Sequence, residues 1–271
     1  MSAKAVAGVE KKPYYQISFS GGRTSGYLTW YLLNNFSHKY EFIVTFANTG
    51  LEHEKTLEFV RNCDKYFGFN TIWLEPVIHP QKRVGTTHKI IDFETATRNT
   101  DLFEEMIRKY GIPNKVYKHC TRELKIRPMD SYLRSLGLQP KKIPTAIGIR
   151  ADESRRCAND AEQMNFVYPL VTDHPVDKQF ILDWWSKQEF DLGLEEHDGN
   201  CNMCFEKSDQ KLMKQLESNP NALEFHLRME LEHGHTNNRP GMPARVFFRQ
   251  KKSALDLLSM INQINDHRIA A

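Results

Sequence analysis

The chain has 271 residues, 40% hydrophobic and 26% charged, with a formal net charge of +3. That is the composition of an ordinary soluble globular protein, long enough for one large α/β domain with a small appendage. No apolar run approaches the ~20 residues of a membrane span, and residues 1–12 are small and polar without the apolar centre of a signal peptide, so a loose N-terminal tail, a cytoplasmic location and no membrane partner are expected. The mild basic excess suits an anionic nucleotide or nucleic acid, and is equally an ordinary surface.

Taken in order, Tyr14–Ile17 reads as a short strand, Ser18–Gly26 as a Gly/Ser-rich turn and Tyr27–Leu33 as the body of a helix. Gly21 and Gly22 let the backbone approach a ligand closely. The hydroxyls of Ser20, Thr24 and Ser25, with the free N–H groups of a helix start, make an anion site, and the expected anion is a phosphate chain. The spacing is neither that of a Walker loop nor that of a G-x-G-x-x-G dinucleotide loop. Phe42-Ile43-Val44 reads as a buried strand ending in Asn48-Thr49-Gly50, with Thr49 at the N-cap of a helix that starts near Leu51 and runs to about Phe67; Cys63 reads as a packing thiol inside it. Thr71–Ile78 is a third strand. This alternation predicts a parallel sheet with helices on both faces and ligands at the carboxyl ends of its strands, where the loops at Ser20 and Asn48 open.

Residues 79–100 read as a solvated loop, and Asp101–Tyr110 as a helix closed by Gly111. A helix is expected from Thr121 to Arg134. Thr145–Arg150 reads as a fourth strand that delivers Arg150 to the ligand end of the sheet, with Arg155 and Arg156 on the next turn. Their guanidinium forks suit phosphate or sulfate. Helices are expected over Asp177–Phe190, Lys211–Leu216, Ala222–Leu231 and, capped by Ser253, Ala254–Ile264, while Arg245–Arg249 reads as an extended piece at a sheet edge.

The five cysteines, Cys63, Cys120, Cys157, Cys201 and Cys204, are an odd number and include a C-x-x-C pair. That pattern argues against a disulfide framework and for a metal or cluster.

Ser-Gly-Gly-x-x-Ser after a strand resembles the PP-loop of the ATP pyrophosphatase superfamily. Phe46–Glu52, the segment His119–Pro128 with its Leu-Lys-x-x-Pro, and Gly148–Arg156 are similar, in the same order, to motifs of the phosphoadenylyl-sulfate (PAPS) reductase family. The resemblance covers most of residues 14–210 and looks most like the family's phage, plasmid and phosphorothioation-type members. It implies an adenine nucleotide α-hydrolase-like (PP-loop) domain over 13–195 and a C-terminal helical, metal-bearing subdomain over 196–271. It implies ATP, or an adenylyl-sulfate nucleotide, with Mg2+, held by Ser20, Gly21, Gly22, Arg23, Thr24, Ser25, Asn48, Gly50, Arg127, Arg155 and Arg156, with Lys125 and Arg150 as catalytic groups. It also implies a [4Fe–4S] cluster on Cys120, Cys201 and Cys204, with either Cys157 or His119 as the fourth ligand. Cys157 is preferred because all-thiolate ligation is the rule for such clusters. A structural Zn2+ is the rival occupant.

Two departures matter. Cluster-bearing members carry two adjacent cysteines where this chain has His119-Cys120, and the reductases attack sulfur with a cysteine in a C-terminal tail, whereas this chain has no cysteine after Cys204. The expectation is therefore an adenylating iron–sulfur enzyme, a sulfurtransferase acting on a nucleotide, DNA or tRNA, with a sulfur-donor protein and self-association as open partners. The alternatives are an adenylyl-sulfate or PAPS reductase, and a non-catalytic nucleotide-binding module with a structural zinc.

Overall fold

The computed structural model of the chain describes residues 11–199 and 201–269. Residues 1–10 of the expected tail, and Asn200 beside the C-x-x-C, lie outside the described residues; Lys12 is tied down, its Nζ donating to the Ser37 carbonyl (2.6 Å).

Strand β1 (Tyr14–Ser18) leads through the Gly/Ser turn into α1 (Arg23–Phe36), then β2 (Glu41–Ala47), α2 (Glu54–Phe67), β3 (Ile72–Val77) and β4 (Thr87–Ile91). Helices α3 (Asp101–Tyr110) and α4 (Arg127–Ser135) precede β5 (Thr145–Ile147), α5 (Ala161–Met164), β6 (Phe166–Val167), α6 (Pro169–Thr172) and α7 (Lys178–Trp185). The last part is helical, with α8 (Asp209–Ser218), α9 (Glu224–His233) and α10 (Ala254–Ile269).

Among the described residues the strands form one six-stranded sheet in the order β4-β3-β2-β1-β5-β6. Every pairing is parallel except that of β4 with β3, which is antiparallel. The chain moves outward from β1 in one direction and then crosses back to place β5 on its other side. The carboxyl ends of β1 and β5 therefore flank the switch point, the crevice where doubly wound sheets bind ligands.

Side-chain alternation sorts the two faces. Ile17, Val44, Phe46 and Trp73 point into the main core, with Leu28 and Leu32 of α1, Leu57, Phe59 and Val60 of α2, and Ile181 and Trp185 of α7. Ala47 and Leu74 point the other way, against Met129 of α4. Trp185 is fully buried, and its indole N–H donates to the Arg23 carbonyl (2.8 Å), which seats α7 on the start of α1. Burial of such a side chain contributes about 1.5–3 kcal/mol.

A second core gathers Phe103, Met106, Ile107, Ile112 and Leu124 with Met203, Phe205, Leu212, Leu216, Phe247 and Leu257. It draws on both sides of residue 195, so the C-terminal helices share their apolar interior with α3 and the segment after it.

Several local expectations are corrected. Residues 79–100 contain β4, a hydrogen-bonded edge strand whose exposed Lys89 and Ile90 hide its period. Helix α2 begins at Glu54 rather than Leu51, because His53 is its cap, Nδ1 accepting from the Lys55 N–H (3.1 Å). Strand β5 ends at Ile147, so Arg150 stands on a loop that opens the short 3-10 segment Ala151–Arg156. Residues 245–249 belong to no strand of the sheet; Phe247 and Phe248 are instead buried in the second core.

Candidate active site at the strand ends

The turn after β1 is built around one hydroxyl. Ser25 Oγ accepts from the backbone N–H groups of Ser20 (3.2 Å) and Gly22 (3.3 Å), lies 2.9 Å from Ser20 Oγ, and donates to the Gly22 carbonyl (3.0 Å). Gly21 takes φ +73°, and a Cβ there would stand 2.6 Å from a Thr56 methyl, so only glycine fits. The turn feeds straight into α1, whose first N–H groups have no partner within the helix and carry its positive dipole end.

Arg150 stands on the rim of this turn. It donates to Thr24 Oγ1 (3.1 Å) while pairing with Asp152 (2.9 Å) and Glu153 (3.3 Å). Arg156 pairs with Glu153 as well (2.6 Å), and Arg155 is exposed beside it. The structure thus brings Arg150 to the turn and holds Arg156 through a shared carboxylate. Arg23 contributes backbone only, because its guanidinium is occupied by Asp191 (2.6 and 2.5 Å) and the Leu194 carbonyl.

At the end of β2, Asn48 is fully buried and its amide is spent on structure. Nδ2 donates to Glu75 Oε1 (2.8 Å) and the Thr97 carbonyl (2.9 Å), and Oδ1 accepts from the Gly50 N–H (3.2 Å). Gly50 is left-handed (φ +83°), with the Asn99 carbonyl 2.3 Å from where a Cβ would stand. The Glu52 carboxylate accepts from Thr49 N and Thr49 Oγ1, both at 2.8 Å.

The cysteines meet this same edge. Cys201 Sγ lies 3.7 Å from Thr49 Oγ1, 3.7 Å from Glu52 Oε1 and 4.0 Å from Lys125 Nζ. The loop carrying Cys201 is stitched down by the Asn202 N–H, which donates to the Leu51 carbonyl (3.1 Å). Cys120 and Cys204 act electrostatically on each other and on Lys125, so three thiols and one ammonium share a pocket. Burial pushes the Cys120 thiol up to about 11 and the Cys201 thiol up to about 12, in the second case against the pull of Lys125. The Lys125 ammonium is favoured by Cys201 once that thiol ionises, and by the Glu52 carboxylate, against the cost of burial.

Cys120 and Lys125 reach the pocket from a wide helical turn over Cys120–Ile126, whose i→i+5 bond runs from the Arg127 N–H to the Arg122 carbonyl. It continues directly into α4. Such π-type turns carry more residues per turn than an α-helix, and they recur at functional sites. Arg127, at the first position of α4, is exposed.

The two fourth-ligand candidates have neighbours of their own. Cys157 closes the 3-10 segment near Tyr168, whose hydroxyl accepts from the Ala158 N–H (2.9 Å). His119 stacks on Tyr117, with the ring centroids 5.8 Å apart. Burial, with Arg122 and Arg245 nearby, pushes the His119 imidazole down to about 4. Among the described residues no group of three His, Cys, Asp or Glu side chains is spaced to hold a single metal ion.

Over 199 residues the chain is 35% identical to ORF290, an uncharacterized nin region protein of Escherichia phage lambda, an alignment that covers 72% of this chain and 67% of ORF290. The chain belongs to the ORF290 family. Two uncharacterized proteins of Methanocaldococcus jannaschii are also similar, MJ0973 at 29% identity over 169 residues and MJ0066 at 26% over 144. These alignments take in 62% and 53% of this ORF290 relative, and only 32% and 24% of the archaeal proteins' own lengths. No family model matches the chain. No helix among the described residues is long and apolar enough to cross a membrane.

Sequence reasoning missed Glu52, Thr49 and Lys207, which line or face the thiol pocket. The signal for Glu52 was present in Asn48–Glu52 as a turn closed by its own carboxylate; Lys207 gave none beyond its place three residues after Cys204.

Proposed function

We propose that the chain is an ATP-dependent enzyme of the PP-loop type that adenylates an acceptor with release of pyrophosphate, and that it transfers sulfur to a nucleotide or nucleic-acid acceptor through an iron–sulfur group. One observation carries this reading. The Ser20–Ser25 turn opens at the switch point of the sheet, with Arg150 on its rim, while three thiols and Lys125 collect at the end of the neighbouring strand β2.

In this reading the N–H groups at the start of α1 bind the phosphates, the Ser20 and Ser25 hydroxyls swing from their bonds within the turn to join them, and Mg2+ would share their charge. As the acceptor attacks the α-phosphorus and pyrophosphate leaves, negative charge builds on the phosphate oxygens. Arg150, tethered to Thr24, is oriented in advance to stabilise it. Lys125, between Glu52 and Cys201, is the cation nearest the thiols and bridges the two halves of the site electrostatically.

The donor set fits an iron–sulfur group in its chemistry: Cys120, Cys201 and Cys204 supply thiolates, Lys125 faces all three and Lys207 faces Cys201 and Cys204. Cys157 and His119 remain the candidates for a fourth ligand. A cluster held by Cys120, Cys201 and Cys204 would supply sulfide-level sulfur, brought by a donor, to displace AMP from the adenylated acceptor.

The test uses protein purified without oxygen. Iron, acid-labile sulfide and zinc are measured, and ATP is offered with tRNA or DNA while AMP and pyrophosphate are followed. About four irons and four sulfides per chain, with AMP formed in step with pyrophosphate, is the expected result. Zinc without sulfide removes sulfur transfer from the reading, and the absence of AMP and pyrophosphate with every acceptor removes adenylation.

A further inference from the structure

Lys207 is 7% exposed, and its Nζ has no hydrogen-bond partner among the described residues. It lies three residues past Cys204, whose carbonyl accepts the Lys207 N–H (2.9 Å). The titratable groups that face it are Cys204, Cys201, Asp198 and Lys211. Asp198 makes no ion pair with it, and Lys211 is engaged by Glu196 (2.8 Å). The surrounding turn is held in place rather than free to supply an acceptor. Met203 takes a left-handed φ of +46°, its N–H donates to Gln215 Oε1 (3.1 Å), and the Gln215 amide donates to Asn202 (3.2 Å) and Asp198 (3.4 Å).

A buried ammonium without a counter-charge is strongly disfavoured, and a methionine or leucine would fill the space without that cost. Asp198 faces Lys207 without pairing with it and is engaged by Gln215, so the further negative charge has to come from Cys204 and Cys201, the other acidic groups it faces. Thiols become a source of negative charge when they bind metal as thiolates.

We infer that Lys207 is the buried counter-charge of the sulfur pocket: its ammonium offsets the negative charge that Cys201 and Cys204, the two thiols it faces, bring when the pocket holds an iron–sulfur group. The inference rests on the reading of that pocket given above and adds a positioning residue to it. The ammonium then acts in opposite directions in two states. With the pocket loaded, it stabilises the chain, and it favours the reduced form, because reduction adds a negative charge beside it. With the pocket stripped, the same ammonium is an unpaired buried charge and destabilises the fold. A side chain that merely packs has the same sign of effect in both states.

The experiment compares the full chain with Lys207→Met, Lys207→Gln and Lys207→Arg, each purified without oxygen. It measures iron and sulfide content, the reduction midpoint by spectroelectrochemistry, and the melting temperature before and after removal of iron with a chelator. The expected result is a higher melting temperature than wild type for the stripped Met variant, a lower one for the loaded variant, a more negative midpoint for Met and Gln, and recovery of the midpoint in Arg. If Met fails to fold, the loaded Gln variant carries the midpoint test. An unchanged midpoint with a normal cluster, or the same sign of melting shift in both states, overturns the role of Lys207 and leaves the cluster standing. Wild-type protein without iron and sulfide overturns the cluster reading, and the role of Lys207 falls with it.

Discussion

Gly148 lies flush against Ser25: a Cβ at position 148 would stand 2.8 Å from the Ser25 Cα and 3.0 Å from its nitrogen. The end of β5 is thereby pressed onto the start of α1, with no side chain between them. Both close atoms are backbone, so nothing can swing aside. Gly148→Ala should cost about 1–3 kcal/mol by overpacking and pry the turn from its strand. Thermal melts should fall, and ATP should raise the melting temperature of the variant less than that of the wild type. An equal ATP-induced rise in both would break the link between this contact and nucleotide binding.

Arg150 is the cation with the clearest tether to the turn. Its removal in Arg150→Ala should slow AMP formation about 100-fold, in line with the loss of one pre-aimed charge stabiliser. Arg150→Lys should recover little, because a single ammonium cannot serve Thr24, Asp152 and Glu153 together. Steady-state kinetics decides: a change in KM alone would assign Arg150 to binding.

The cysteines should separate cleanly. Cys201→Ser and Cys120→Ser should lose most of their iron and sulfide, while Cys157→Ser should keep a full complement, since Cys157 neighbours Tyr168 and does not figure among the groups acting on Cys201. Metal analysis of the three purified variants is the check. Loss of iron from the Cys157 variant would return it to the ligand set.

Asn48→Ala should act on stability rather than on nucleotide affinity. Buried Glu75 accepts from Asn48 Nδ2 (2.8 Å) and Thr97 N (2.6 Å), and losing the first leaves the carboxylate short of a donor. A cost of about 1–3 kcal/mol is expected in denaturant titrations.

His226 gives the fold a pH dependence. It is buried against Phe247 and Phe248, and burial pushes its imidazole down to about 4, with the Ala222 backbone opposing the shift. In the unfolded chain it titrates near ~6.5, so between those values the unfolded state binds the extra proton. Stability from this group is full above pH ~6.5 and declines as the pH falls toward the folded-state value. The loss at pH ~5 relative to pH ~7 should be about 2 kcal/mol, and His226→Leu should remove that part of the dependence. Melts at the two pH values measure it.

The strand, turn and helix at the N-terminus were legible because three cues coincide there: a short apolar run, glycines where the chain must bend, and hydroxyls at a helix start. The parallel order of the sheet came from the alternation of strands with helices. Strand β4 was hidden because an edge strand is shaped by its partner, and Thr87–Ile91 alternates too weakly to announce itself. The wide turn at Cys120 has no residue preference to read. Spacing likewise could not distinguish Cys157 from the three pocket cysteines, since proximity in that case is decided by tertiary packing.

The bond from Asn202 to Leu51, with Cys201 beside Thr49, sets an order of maturation. During synthesis the phosphate turn and the first two strands emerge early, whereas the C-x-x-C arrives only after 200 residues have been made. The Cys201 thiol therefore meets Thr49, Glu52 and Lys125 only once the late segment has docked on the early one. The thiol pocket is a product of the finished fold, and no stretch of chain that emerges together contains it.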